Sequence, residues 1–102
     1  MATKRDRQEQ TFQERERFLR DLATADTVEE AWRLINHGMN ASFRSNAGYA
    51  VRNGVPPRCD PTEKAVYEAL LSRLKGKGYR WAREDGGEAV VFGPDGKPIR
   101  IP

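Results

Sequence analysis

The sequence predicts an α+β fold: three or four N-terminal helices followed by a three-stranded antiparallel meander. Three observations carry that expectation. Apolar residues recur at helical spacing through most of the first three-quarters of the chain. Two helix-start signatures stand at 27–30 and 60–63. After Gly78 the apolar period drops to two, and turn residues interrupt it.

The elements follow in order. Residues 1–17 are almost wholly polar and charged, and Phe12 is the only large apolar side chain after Met1. Pairs such as Arg5–Glu9 and Glu16–Arg20 support a solvated helix at about 0.3 kcal/mol each. Residues 1–10 are therefore expected to fray, and 11–102 to form a single small domain. From Phe12 an apolar face builds through Phe18, Leu19 and Leu22, predicting a helix over about 8–23 with its C-terminal half packed.

Thr27 and Glu30 form a capping box, and Val28, Ala31, Trp32, Ile35 and Met39 then share one helical face. Gly38 suits a C-terminal cap and Asn40 a new N-cap. Phe43, Ala47, Ala50 and Val51 continue the periodicity until Asn53-Gly54 stops it. The pattern fits two helices, 28–37 and 41–52, or one bent helix. Pro56 and Pro57 stiffen an extended connector. Asp60-Pro61-Thr62-Glu63 then gives an N-cap, a proline at N1 and an acid at N3. The helix that follows buries Val66, Tyr67, Leu70, Leu71 and Leu74, and ends in Lys75-Gly76-Lys77-Gly78. Strands are expected over 79–84, 89–92 and 99–101. A hairpin loop at 85–88 and a turn at Gly93-Pro94-Asp95-Gly96 join them. Pro98 and Pro102 confine the last strand to an edge.

Composition bounds the chemistry. Leu, Ile, Val and Phe make up 19 of the 102 residues, with 11 alanines, so the core should be small and alanine-rich. No apolar run approaches the roughly 18 residues of a membrane span, and no signal-peptide pattern opens the chain. One cysteine excludes an internal disulfide and points to a reducing, cytoplasmic compartment. One histidine and one cysteine leave no protein-only zinc site, and no phosphate-cradling glycine motif is present. No metal and no cofactor are expected. His37, beside Gly38, reads as a helix-end residue rather than a general base. Cys59 lies near a helix N-terminus, a position expected to lower a thiol pKa, but has no histidine partner nearby in sequence. No catalytic residue is assigned, and a non-enzymatic binding protein is expected.

Charge distribution is more informative than its sum. The net charge of +3 hides two stretches without acids. Residues 31–59 carry Arg33, Arg44, Arg52 and Arg58, and residues 69–83 carry Arg73, Lys75, Lys77, Arg80 and Arg83. The two blocks amount to +9, so the rest of the chain is −6. Such segregation points to contact with a polyanion. On a helix, Arg44, Ser45, Gly48, Tyr49 and Arg52 fall on one side, away from Phe43, Ala47, Ala50 and Val51. Arg44, Arg52, Arg73, Lys75, Lys77, Arg80 and Arg83 are the candidate phosphate contacts, and Asn46 and Tyr49 the candidate base contacts. Tyr79 and Trp81 place aromatics beside cations, which suits base stacking; at i, i+2 they equally suit one core-facing strand face. The expected partner is nucleic acid, DNA or RNA, with no membrane. The alternative is an inhibitor or adaptor that meets an acidic or nucleic-acid-binding protein. A homodimer is compatible with either.

Two motif comparisons complete the reading. A helix-turn-helix centred on Gly38 would want a small residue at 34 and an aliphatic at 44, where Leu34 and Arg44 stand. Residues 70–102 are similar to the helix–strand–strand–strand part of HicA-type toxins, through Gly78-Tyr79, Phe92, Pro94-Asp95-Gly96 and Ile99-Arg100-Ile101-Pro102. That family cleaves RNA on a double-stranded-RNA-binding-like fold. Its glycine–small–histidine catalytic segment is replaced by Asp85-Gly86-Gly87-Glu88, and no closing helix follows Pro102. The resemblance implies an RNA- or partner-binding sheet, without cleavage.

Overall fold

A computed structural model describes residues 4–37, 41–83 and 87–101, with side chains from 13 onward except those of 41–43. Four helices precede a three-stranded antiparallel sheet: α1 (Lys4–Ala23), α2 (Val28–His37), α3 (Ala41–Asn53), α4 (Pro61–Gly76), β1 (Arg80–Arg83), β2 (Ala89–Phe92) and β3 (Pro98–Ile99). The predicted α+β architecture is the observed one. The helix α1 begins at Lys4, ahead of the expected start at about 8. The caps expected at Gly38 and Asn40, the Met39 position and part of the 85–88 loop lie outside the described residues, as do the side chains of Phe12 and Phe43.

Local signals act where the sequence puts them. Thr27 Oγ1 accepts from the Glu30 amide at 3.0 Å, while Glu30 accepts from the Asp26 amide at 3.2 Å. Asp60 accepts from the Glu63 amide at 2.9 Å, with Pro61 opening α4. At the end of α3, Gly54 takes φ +72° and donates to the Ala50 carbonyl. A residue with a Cβ resists that conformation. The segments 28–37 and 41–53 are two helices packed on each other, not one bent helix.

The core joins Phe18, Leu19 and Leu22 of α1, Val28, Ala31 and Ile35 of α2, Ala47, Ala50 and Val51 of α3, and Tyr67, Leu70, Leu71 and Leu74 of α4. Tyr79 and Val91 close it from the sheet end. Two expected core residues sit at its margin: Val66 and Trp32 are half-buried. Trp32 packs against the edge of the core and also lines a groove at the surface.

In the sheet, Trp81 pairs with Val91 and Val91 with Ile99, a row that packs against the helices. Arg80, Phe92 and Pro98 form the adjacent row, on the opposite face by strand alternation. The third strand is shorter and earlier than expected, at 98–99. The turn bonds Gly93 N–H to Lys97 O and Gly96 N–H to Gly93 O, which starts the pairing at Pro98. Helix α3 contacts α2, α4 and β2, so it joins the helical layer to the sheet.

Candidate functional site

The exposed face of α3 forms one wall of an open groove of about 1020 Å³. Arg44, Ser45, Tyr49, Arg52 and Asn53 line that wall. Trp32 reaches it from α2, and β2 with residues 99–101 forms the facing side, where Arg100 stands. Arg44, Ser45, Tyr49 and Arg52 are exposed while Ala47, Ala50 and Val51 are fully buried, as predicted; Gly48, expected on the outer side, is buried against Trp32. The lining holds three arginines, Arg44, Arg52 and Arg100, and a single acid, Glu88.

Arg52 is held in place from below. Its guanidinium lies 4.9 Å from the centre of the Trp32 ring, a cation–π contact that orients the planar donor set. Gly48 sits over the same indole: a Cβ there would meet the ring at 3.7 Å, an ordinary contact. The indole Nε1 is buried and has no hydrogen-bond partner among the described residues.

Asn46 also lines the groove, but its amide nitrogen donates to Glu63 Oε1 at 3.1 Å. Glu63 is the one buried charged residue among those described. It also accepts from the Tyr67 hydroxyl, and Arg15 lies 3.7 Å from its second oxygen while pairing with Asp60. Burial and the Glu63 carboxylate push the Tyr67 phenol well above its ordinary pKa. The Asp60 carboxyl is held below its ordinary value, first by the Glu63 amide it accepts from and then by Arg15. Asn46 thus ties α3 to α4 at the groove's margin.

The second basic block divides. Arg73 reaches Asp26 Oδ1 at 2.7 Å and Lys77 reaches it at 3.0 Å, at the corner between α1 and α2. Their hydrogen bonds, Arg73 first, hold the Asp26 carboxyl below its ordinary pKa. Lys75 donates to the Gly54 carbonyl at 3.1 Å, and its ammonium lies 5.8 Å from the centre of the Trp81 ring. Trp81 in turn donates to the Val51 carbonyl at 2.7 Å. These contacts fasten the end of α3. Only Arg83 joins the first block, donating to Asn53 Oδ1 at 3.1 Å on the groove wall. Arg80 is exposed on β1 and does not line the groove.

The expected stacking pair is turned inward. Tyr79 is 6% exposed, with its hydroxyl 3.3 Å from Glu29, and Trp81 packs on Gly54. Burial, followed by the Glu29 charge, raises the Tyr79 pKa. Among the described residues the most exposed aromatic is Tyr49, at 46%. Sequence reasoning missed Trp32 and Arg100 as lining residues. Neither carried a local signal, because the one reads as core and the other as an edge-strand residue.

Cys59 corrects another expectation. Its thiol pKa is raised, not lowered, because burial and then the Glu63 and Asp60 carboxylates disfavour the thiolate. Burial, with the acids gathered there, outweighs the lowering expected from the helix N-terminus. His37 is exposed at the end of α2. Among the described residues no three His, Cys, Asp or Glu side chains group to hold a metal ion, and no helix is long and apolar enough to cross a membrane.

The fold and the groove define a small α+β protein with a cationic cleft between a helix and a sheet. No family model, curated protein or solved structure matches the chain. The likeness of residues 70–102 to HicA-type toxins therefore rests on their local pattern alone.

Proposed function

We infer that this chain is a non-enzymatic nucleic-acid-binding protein whose contact surface is the groove between α3 and the sheet. The supporting observation is the lining itself: arginines on both walls, an exposed tyrosine, hydroxyl and amide groups beside them, and one acid. Arg44, Arg52 and Arg100 contact phosphates, with Arg83 at the rim. Ser45 and Asn53 add hydrogen bonds to the backbone. Tyr49 meets a base. Arg73, Lys75 and Lys77 act inside the fold and contribute little to binding, which reduces the surface foreseen from the two whole blocks.

Salt tests this reading. Three or four neutralised phosphates give a slope of log affinity against log salt of roughly −2 to −4. Fluorescence anisotropy with labelled DNA and RNA from low to physiological salt measures it. Absence of binding at low salt, or binding indifferent to salt, contradicts the reading.

A further inference from the structure

We propose that the groove takes a single strand of nucleic acid, with at least one base stacked on Tyr49, and does not dock a duplex. The proposal rests on the reading of the groove as a nucleic-acid site and narrows its substrate class. Three features carry it.

First, α3 does not stand out from the protein. Its inner side packs on α2 and α4, and its exposed side looks across the groove at β2 and residues 99–101. A helix that reads a duplex enters the major groove from a projecting position. The arginines of α3 instead line a concavity, which a flexible strand can enter.

Second, the lining is only partly polar. Trp32, Tyr49, Val90, Ile99 and Ile101 share it with the arginines. Such side chains offer nothing to a phosphate. They suit the faces of unpaired bases, which a duplex hides in its stack. Tyr49 is one of three large apolar side chains exposed among the described residues, and of Tyr49, Val55 and Val90 it alone is aromatic.

Third, cations flank the tyrosine at strand-tracking positions. Arg52 is one helical turn from Tyr49, and Arg44, five residues before Tyr49, lines the same groove at the other edge of the exposed face. A base on Tyr49 thus has Arg52 beside one flanking phosphate and Arg44 further along the groove. Alternating cation and aromatic contacts are the physical basis of single-strand binding without base-edge readout.

The experiment compares fluorescein-labelled oligonucleotides of one mixed sequence, single-stranded and duplex, as RNA and as DNA, at one salt concentration. The wild-type chain binds the single strand about tenfold or more tighter than the duplex. Tyr49→Leu loses about tenfold of that affinity with an unchanged melting temperature, and Tyr49→Phe retains it. Either sugar satisfies the proposal, because stacking reads base faces. Equal or tighter duplex binding overturns it while leaving the groove as a nucleic-acid site. So does full single-strand affinity in Tyr49→Leu. Competition by polyglutamate as effective as by the single strand also overturns it, since charge alone would then be recognised. Binding to neither strand nor duplex removes the site reading and the proposal together.

Discussion

The two basic blocks look alike as sequence and behave differently in the fold. The first, on α3, turns Arg44 and Arg52 toward an open groove. The second, at the end of α4 and along β1, meets the chain's own acceptors except at the exposed Arg80: Asp26 for Arg73 and Lys77, the Gly54 carbonyl for Lys75, and Asn53 for Arg83. A run of cations without nearby acids is therefore not yet a free surface. Its counter-charge can come from a distant segment, and here Asp26 lies 47 residues before Arg73. In the second block Arg73, Lys75 and Lys77 hold the fold together, whereas Arg44 and Arg52 of the first line the groove.

The largest expected effect tests the structural half of that comparison. In Gly54→Ala the new Cβ would stand 2.6 Å from the Trp81 ring, on a backbone with φ +72°. Strain and overpacking act together, so the loss should be about 3 kcal/mol or more. Urea unfolding measures it, and a loss under about 1 kcal/mol would mean that Lys75 and Trp81 do not fasten the end of α3.

A smaller effect of opposite sign belongs to the groove. Gly48 lies within α3, has no positive φ, and leaves room for a methyl group 3.7 Å from Trp32. Gly48→Ala should stabilise the chain by about 0.5–1 kcal/mol, seen as a raised melting temperature. Destabilisation would show that the floor over Trp32 is tighter than this geometry.

The smallest effect concerns Asp26. Its pKa is lowered in the folded chain by Arg73 and Lys77, so folding favours the ionised form. The stabilisation is present above the ordinary carboxylate pKa and is lost as pH falls through the lowered folded value. Asp26→Asn should melt slightly below wild type at neutral pH and draw level in acid. Equal melting at every pH would remove the second block's internal role at this corner.

Much of this architecture was legible residue by residue. The Thr27–Glu30 box, the Asp60-Pro61 cap and Gly54 each act through neighbours within a few positions, so spacing reveals them. The outward face of α3 was legible for the same reason, since Ala47, Ala50 and Val51 mark its buried side. What depended on tertiary approach was not. Glu63 reads as a first-turn acid, yet it is buried between Asn46 and Tyr67. Trp32 reads as core, yet it lies under Arg52 at the groove's edge. Arg100 comes to face α3 only because the meander folds back on it. Apart from Glu63–Tyr67, one helical turn apart, such contacts join residues 17 or more positions apart, and helical or strand periodicity carries no trace of them.

The difference between the groove and the second block is measured most directly by removing two arginines from the groove lining, Arg44 and Arg100, and two cations from the second block. Arg44→Gln with Arg100→Gln should weaken nucleic-acid binding at about 0.1 M salt tenfold or more, and make the salt slope shallower by about 1.5 to 2. Arg73→Gln with Lys77→Gln should leave affinity within about twofold and the slope nearly unchanged, since both cations pair with Asp26 and neither lines the groove. Equal losses from the two pairs, or a larger loss from Arg73 and Lys77, would contradict the assignment of binding to the groove.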